Sequence, residues 1–353
     1  MMKRDLSIRF IRVLATITIV LYHSFSFNMG TWSFFPDSPT ASAETPYFYA
    51  ILNNVCGIAL NCFVFIAAIL YARGVFTGKY AKTVDFILKK AHRLLVPYLI
   101  WGALTYLLFY EICYFKWFLG GLAHLWFLLM IFNLFVLAAL TRKCWMNSSP
   151  WIDGVVLIVV FAISQLNIGF IQHHLWIFSI NRTLQYIPMF FLGLLIVKYD
   201  HKTLPLSFLG YPLMLAATTL LLIIDPLVSF PKVFHNILII TEVWMLYKSL
   251  PNSITHIKNS KGEAFLSLID RNSMGIYILH HTFIWLLVYF SSYCRELLLS
   301  NGNAGGWFMF LTAFLQACSV VRLSKKSGSP NTYSGSQLTV YSSKLHKLKS
   351  AFS

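Results

Sequence analysis

Residues 123–141 read Ala-His-Leu-Trp-Phe-Leu-Leu-Met-Ile-Phe-Asn-Leu-Phe-Val-Leu-Ala-Ala-Leu-Thr, and Arg142-Lys143 follow at once. Nineteen residues pass without a charge. As a helix they rise about 28 Å, close to the ~30 Å of a bilayer's hydrocarbon core. A chain crossing that core must satisfy its own backbone polar groups, and a helix does so within one segment. The stretch therefore reads as a membrane-spanning helix that ends on two cations.

Working outward, comparable apolar runs fall near 8–27, 50–72, 94–115, 151–170, 182–199, 206–224, 233–250, 273–291 and 304–321. With the first they make about ten expected spans. Composition agrees: 58% of the chain is hydrophobic and 11% charged, against roughly 25% charged in soluble domains. Such a chain cannot cover a soluble surface, so lipid is the solvent for most of it. The reading is an all-α, polytopic helical bundle forming one membrane domain over 1–323. Residues 324–353 are rich in Ser and Lys, lack apolar periodicity, and read as a disordered cytoplasmic tail. The N-terminus has the basic start and apolar run of a signal peptide. The small-residue triplet Ala41-Ser42-Ala43 lies far beyond that run, so the first helix is expected to be retained.

Orientation follows from the cations. With the N-terminus inside, 24 of the 28 Lys and Arg fall on inner segments, and only Lys116, Arg182, Lys232 and Arg295 fall outside. That asymmetry is what the positive-inside rule produces, and a missed or false span would scramble it. Both termini are expected in the cytoplasm, in a multi-pass protein of the plasma (inner) membrane. The net charge of +16 thus sets orientation, and the partner it implies is the bilayer, not nucleic acid. The outer loop 28–49 has no Lys or Arg, and the basic loop 73–93 is expected to form a short interfacial helix before Pro97. The six cysteines form no CxxC pair and read as small buried hydrophobes. No internal repeat or heptad is evident, which counts against a transporter fold.

Polar groups inside a span are costly and face the bundle interior, so each is a functional candidate. Arg12 and His23 lie eleven residues apart, about three helical turns, on one face and roughly 16 Å apart along the axis. Two readings are open. Arg12 holds a phosphate near the inner leaflet while His23 takes a proton from a hydroxyl; or Arg12 anchors topology and His23 bonds a carbonyl. Lys90 and Arg93 share a helix face and read either as an anion clamp or as lipid-headgroup contacts. In His124-Leu-Trp126-Phe127 the Trp reads first as interfacial belt. In Gly275-Ile-Tyr277-Ile-Leu-His280-His281 the adjacent imidazoles point about 100° apart, so at most one is expected to face a given site. No His pair stands at i, i+4, and no metal is expected. Glu111 and Glu242 read as ion-pair partners or proton relays. His173-His174 are assigned no role.

Together these pieces resemble acyltransferase family 3, membrane-bound enzymes that commonly O-acetylate cell-envelope polysaccharides. Arg12, ten residues, then His23 looks like the family's first-helix signature. Asn61-Cys-Phe-Val-Phe-Ile-Ala-Ala-Ile-Leu-Tyr71 is similar to its second-helix stretch, with Ala67-Ala68 where the family often has Ser-Gly. Lys90-Ala-His-Arg93-Leu-Leu-Val-Pro97-Tyr98 resembles its basic motif, with Lys90 where Arg is usual. His124-Leu-Trp126-Phe127-Leu128, Pro188-Met-Phe-Phe-Leu-Gly193 and Gly275-Ile-Tyr277-Ile-Leu-His280 resemble later motifs, and His280 is the His that matches. The resemblance implies transfer of an acyl group, usually acetyl, from cytoplasmic acetyl-CoA to a sugar hydroxyl of a surface polysaccharide or its lipid-linked precursor. It places His23 and Arg12 in catalysis and Arg12, Lys90 and Arg93 on the coenzyme's phosphates. Trp126, Tyr277 and His280 are expected to line the acceptor site. The alternative is a polysaccharide or lipid-linked sugar exporter without acyl chemistry.

Overall fold

Helix is the only regular structure among the described residues of the computed structural model, which are 6–27, 46–109, 119–166, 176–199, 210–253 and 261–327. In chain order the helices are α1 (Leu6–Ser24), α2 (Pro46–Phe76), α3 (Thr83–Phe109), α4 (Trp126–Leu140), α5 (Arg142–Asn147), α6 (Pro150–Gln165), α7 (Ile180–Lys198), α8 (Gly210–Val228), α9 (Lys232–Ser253), α10 (Lys261–Phe290), α11 (Ser292–Ser300) and α12 (Gly302–Ser327). Short 3-10 turns, Ala123–Leu125 and Ile177–Ser179, lead into α4 and α7. Among the described residues, six helices are long and apolar enough to cross a membrane: α1, α2, α4, α7, α8 and α10. α6 is a shorter apolar helix, and α3, α9 and α12 occupy the other expected segments. Most of the first outer loop (28–45), Glu111, Lys116, His173-His174 and the tail from 328 onward lie outside the described residues.

Two expectations change. The basic loop does not form a separate interfacial helix before Pro97. Helix α3 begins at Thr83 and runs through Pro97 without a break. A proline interrupts one backbone bond, and a membrane helix tolerates that where neighbours can satisfy the freed carbonyl. Helix α10 begins at Lys261, about three turns before its expected span, and carries Glu263 and Asp270 onto the bundle.

The burial pattern is that of a bilayer protein. The one buried residue of α6 is Asp153, while Trp151 and Ile158 are 80% and 70% exposed. α8 buries Thr218 and Leu222 and exposes Leu213, Leu220 and Leu227. A surface helix in water shows the reverse, with its apolar stripe inward. Several inward polar groups find partners across helices. Lys198 Nζ at the end of α7 reaches Asp153 Oδ2 at 2.6 Å and also donates to the carbonyls of Trp145 and Ser148. Tyr199 donates to the same carboxylate at 2.7 Å. Glu242 on α9 accepts from the hydroxyls of Thr218 and Thr219, the latter at 2.6 Å; hydroxyls, not an arginine, are its partners here.

Helix α1 packs on two sides. Ile8, Ile11, Ala15 and Ile19 join the largest core cluster with α2, α4 and α7 residues such as Phe65, Ile69, Leu128 and Met189. Val13 and Val20 join a second cluster with Ile269, Ile276 and Leu279 of α10 and Ala317 of α12. Between α2 and α7 the approach is tight. A Cβ placed on Gly193 would lie 2.7 Å from Ala68 Cβ and 2.8 Å from the Phe65 carbonyl oxygen. Small residues at helix contacts allow such approaches in membranes, where dispersion supplies much of the attraction.

Candidate active site

Four imidazoles meet where α1, α10 and the turn before α4 converge. His23 lies in the last turn of α1, and His280 and His281 lie on α10. His124 comes from the turn before α4, and that turn has a specific cause. Gly121 has φ +109°, a conformation that favours glycine, and a Cβ there would sit 2.5 Å from Trp126 Cβ. The Leu122 N–H donates to Tyr98 of α3 at 3.2 Å, and Ser179 donates to the Gly120 carbonyl at 2.7 Å. Pinned from both sides, the chain turns His124 inward, where it is buried.

The ring centroids of His23 lie 5.0 Å from His280, 5.9 Å from His281 and 6.1 Å from His124. His124 stacks on His281 at 4.4 Å with planes 21° apart. His23 Nδ1 lies 2.8 Å from His280 Nε2. His280 Nδ1 meets the Ile276 carbonyl oxygen at 3.1 Å, and His124 Nε2 meets that of Ile278 at 3.1 Å. Tyr277 donates its phenol proton to the His124 carbonyl, fastening α10 to this turn. His124 Nδ1 is buried with no hydrogen-bond partner. Among the described residues no three His, Cys, Asp or Glu side chains are placed to hold a metal ion.

The expectation that only one of His280 and His281 faces the site is corrected. The two rings do diverge, with planes 87° apart. Both nevertheless reach one cluster: His280 lies 5.0 Å from His23 and 5.1 Å from His124, and His281 lies 4.4 Å from His124 and 5.9 Å from His23. Sequence reasoning thus missed His281 and read His124 mainly through its neighbour Trp126. Trp126 itself packs against Tyr186 and lies under the Arg182 guanidinium, 5.2 Å from its ring. Tyr277 is in the cluster, its ring 5.3 Å from that of His124.

The cations gather at the other end of α1. Arg12 Nη1 lies 2.9 Å from Asp270 Oδ1, and Arg9 Nη1 lies 3.1 Å from Glu263 Oε1. Both acids belong to α10 and neither was singled out from the sequence. The Arg12 contact is an ion pair made through one guanidinium nitrogen. Arg93 is exposed and within electrostatic reach of Arg12 and of Lys90. Lys90 sits differently from a simple clamp residue: its ammonium lies 3.7 Å above the Phe135 ring of α4, a cation–π seat.

The fold and this arrangement define a multi-pass helical membrane protein that gathers three buried imidazoles and a half-buried fourth at one level and collects basic side chains at another. Residues 5–322 match the model of an acyltransferase domain, and the chain belongs to acyltransferase family 3. It is a membrane acyltransferase. No curated protein and no solved structure matches the chain.

Proposed function

We propose that the protein moves an acetyl or similar acyl group from cytoplasmic acetyl-CoA to a sugar hydroxyl of a surface polysaccharide or its lipid-linked precursor. The observation that carries the reading is the division of α1: Arg12 belongs to the basic end and His23, roughly 16 Å along the same face, belongs to the imidazole cluster. A slender acyl-bearing arm anchored by its phosphates at Arg12, Lys90 and Arg93 fits that separation.

In this reading the bundle crosses the plasma (inner) membrane about ten times, with both ends cytoplasmic. The long-range contacts support it. Arg9–Glu263, Arg12–Asp270 and His23–His280 rise together, so α1 and α10 run parallel, which requires an odd number of crossings between them. Helices α2, α3, α4, α6, α7, α8 and α9 would supply seven. Pairs expected at the inner face, Arg142 with the Tyr80 carbonyl and Lys198 with Asp153, join inner ends only. Pairs expected at the outer face, Tyr47 with the Ile223 carbonyl and Tyr49 with Asn303, join outer ends only.

Chemically, the donor thioester supplies an activated acyl carbon, whose C–S bond breaks as the ester C–O bond forms. His23 acts as general base: its Nε2 takes the proton of the acceptor hydroxyl as that oxygen attacks, and the imidazolium returns the proton to the departing sulfur. The buried His124, His280 and His281 beside the half-buried His23 limit the approach of competing water. Trp126 and Tyr277 belong to the wall on the acceptor side, and His280, fully covered and bonded to His23 and the Ile276 carbonyl, lies behind it.

The test is transfer from labelled acetyl-CoA by purified protein, with mass spectrometry of surface polysaccharide from cells with and without it. His23→Ala should lose transfer by about 10²–10⁴-fold while keeping its unfolding temperature. Full transfer by that variant would sink the assignment. Polysaccharide that is mislocalised but normally acetylated would favour an exporter instead.

A further inference from the structure

We propose that Arg182 binds an acidic group of the acceptor, a carboxylate or a phosphate, so that the substrate is an anionic sugar polymer or precursor; this rests on the reading of Trp126 and Tyr277 as the acceptor-side wall. Arg182 stands in the first turn of α7 and is exposed. It is one of four cations expected on the outer side, where the positive-inside rule disfavours them. Its guanidinium lies 5.2 Å from the Trp126 ring, a cation–π contact. Its other contacts are neutral. Nη1 donates to Gln185 Oε1 at 3.3 Å, and the backbone N–H donates to Asn181 Oδ1 at 2.8 Å. Arg9, Arg12 and Lys198 each have a carboxylate; among the described residues none pairs with Arg182. A guanidinium presents five donors in a planar fork, and the fork matches two oxygens of a carboxylate or phosphate. Only one of those donors is used by Gln185.

The indole seat puts this cation at the edge of the imidazole cluster. Trp126 follows His124 by two residues, at most about 7 Å along the chain. Ring contacts continue inward from it: Trp126 to Phe127 at 6.0 Å, Phe127 to Tyr277 at 5.5 Å, and Tyr277 to His124 at 5.3 Å. His124 in turn lies 6.1 Å from His23. The start of α7 is also tied down. Asn133 of α4 donates to the Phe178 carbonyl at 2.7 Å and to Thr183 Oγ1 at 3.1 Å. With its backbone fixed and its guanidinium over Trp126, Arg182 keeps a set direction from the cluster. An acid held there would fix the register of the sugar chain and so choose which hydroxyl reaches His23. A neutral sugar would lack that tether. Because Arg182 is exposed, water weakens the attraction, and a bidentate contact is expected to be worth about tenfold in acceptor binding.

The test crosses a change in the protein with a change in the polymer. Surface polysaccharide from cells lacking the protein is offered, with labelled acetyl-CoA, to purified full-length protein. It is used untreated, with its carboxyl groups reduced to alcohols, and with its phosphate groups removed. Wild-type KM for the polymer should rise about tenfold in one treated form, and that form names the acid. Arg182→Gln should show the same rise on untreated polymer and no further rise on that treated form, because the two changes remove one contact. Its kcat and its KM for acetyl-CoA should stay within about twofold. Arg182→Lys should fall between, since it keeps the charge without the fork. Equal wild-type KM on all three forms, or independent losses from substitution and treatment, would overturn the proposal. The series is repeated in phosphatidylcholine nanodiscs with and without anionic lipid. An Arg182 effect that follows lipid charge and not polymer charge would put a headgroup at this arginine and overturn it as well. Transfer that ignores Arg182 refutes this proposal alone, whereas no wild-type transfer to any form refutes the acyl-transfer reading beneath it.

Discussion

Replacing Gly193 by Ala adds one methyl group where α7 meets α2. That methyl would lie 2.7 Å from Ala68 Cβ and 2.8 Å from the Phe65 carbonyl oxygen. Both are about 1 Å inside normal carbon contacts, taken as roughly 3.5–4.0 Å. Neither neighbour can yield by a rotamer change, since one is a methyl fixed to its Cα and the other is backbone. The helices must part or the overlap must be borne, which costs about 1–3 kcal/mol in a packed core. Alanine's better helix propensity returns up to about 1 kcal/mol, so the net loss is about 1–2 kcal/mol. The unfolding temperature in detergent should fall by a few degrees. Gly154 of α6 supplies the control, because a Cβ there meets nothing within 4 Å; Gly154→Ala should be neutral or slightly stabilising. The pair Gly193→Ala with Ala68→Gly should restore only part of the loss, because it relieves the contact with the Ala68 methyl and leaves that with the Phe65 carbonyl. Equal behaviour of Gly193→Ala and Gly154→Ala would refute the tight approach of the two helices.

Two further predictions bear on the basic end and have opposite signs in one assay. Asp270→Asn removes the carboxylate 2.9 Å from Arg12, so KM for acetyl-CoA should fall by about 3–10-fold, worth roughly 1 kcal/mol, at some cost in stability. A raised KM would count against Arg12 as an anion site. Arg93→Ala should raise KM for acetyl-CoA with little change in kcat, the pattern of lost uniform binding; unchanged donor affinity would remove Arg93 from the clamp.

What could be read from the sequence was the part governed by local chemistry. Apolar runs report on lipid directly, and each expected segment is helical over most of its described residues. The Arg12–His23 spacing is likewise local, since a single helix sets it. Relations between distant segments were hidden. Nothing near Arg12 announces Asp270, which lies far along the chain, although the seven-residue spacing of Glu263 and Asp270 puts two of only 12 acidic residues on one helix face. His124 was masked by Trp126, whose type suits an interface. The sharper signal was Gly121 just upstream, a residue able to take the turn that aims the imidazole inward. His281 was discounted because adjacent imidazoles were taken to exclude each other from one site, whereas His124 lies 4.4 Å from His281 and 5.1 Å from His280, so one cluster takes both.

The paired contacts between α1 and α10 explain why a site divided between two levels can work as one. The sequence separations of the lowest and highest pairs are 254 and 257, a difference of less than one helical turn. Sliding one helix by a single residue would rotate its face by about 100° and part Arg12 from Asp270 and His23 from His280 together. The salt bridges therefore hold the register on which the imidazole bond depends, and the imidazole bond holds the register of the salt bridges. An anion arriving at Arg12 competes with Asp270 for the guanidinium. If it loosens that pair, the remaining contacts, Arg9–Glu263 and His23–His280, still fix the two helices from either side. Donor occupancy at the basic end can thus change without disturbing the geometry of the base roughly 16 Å away.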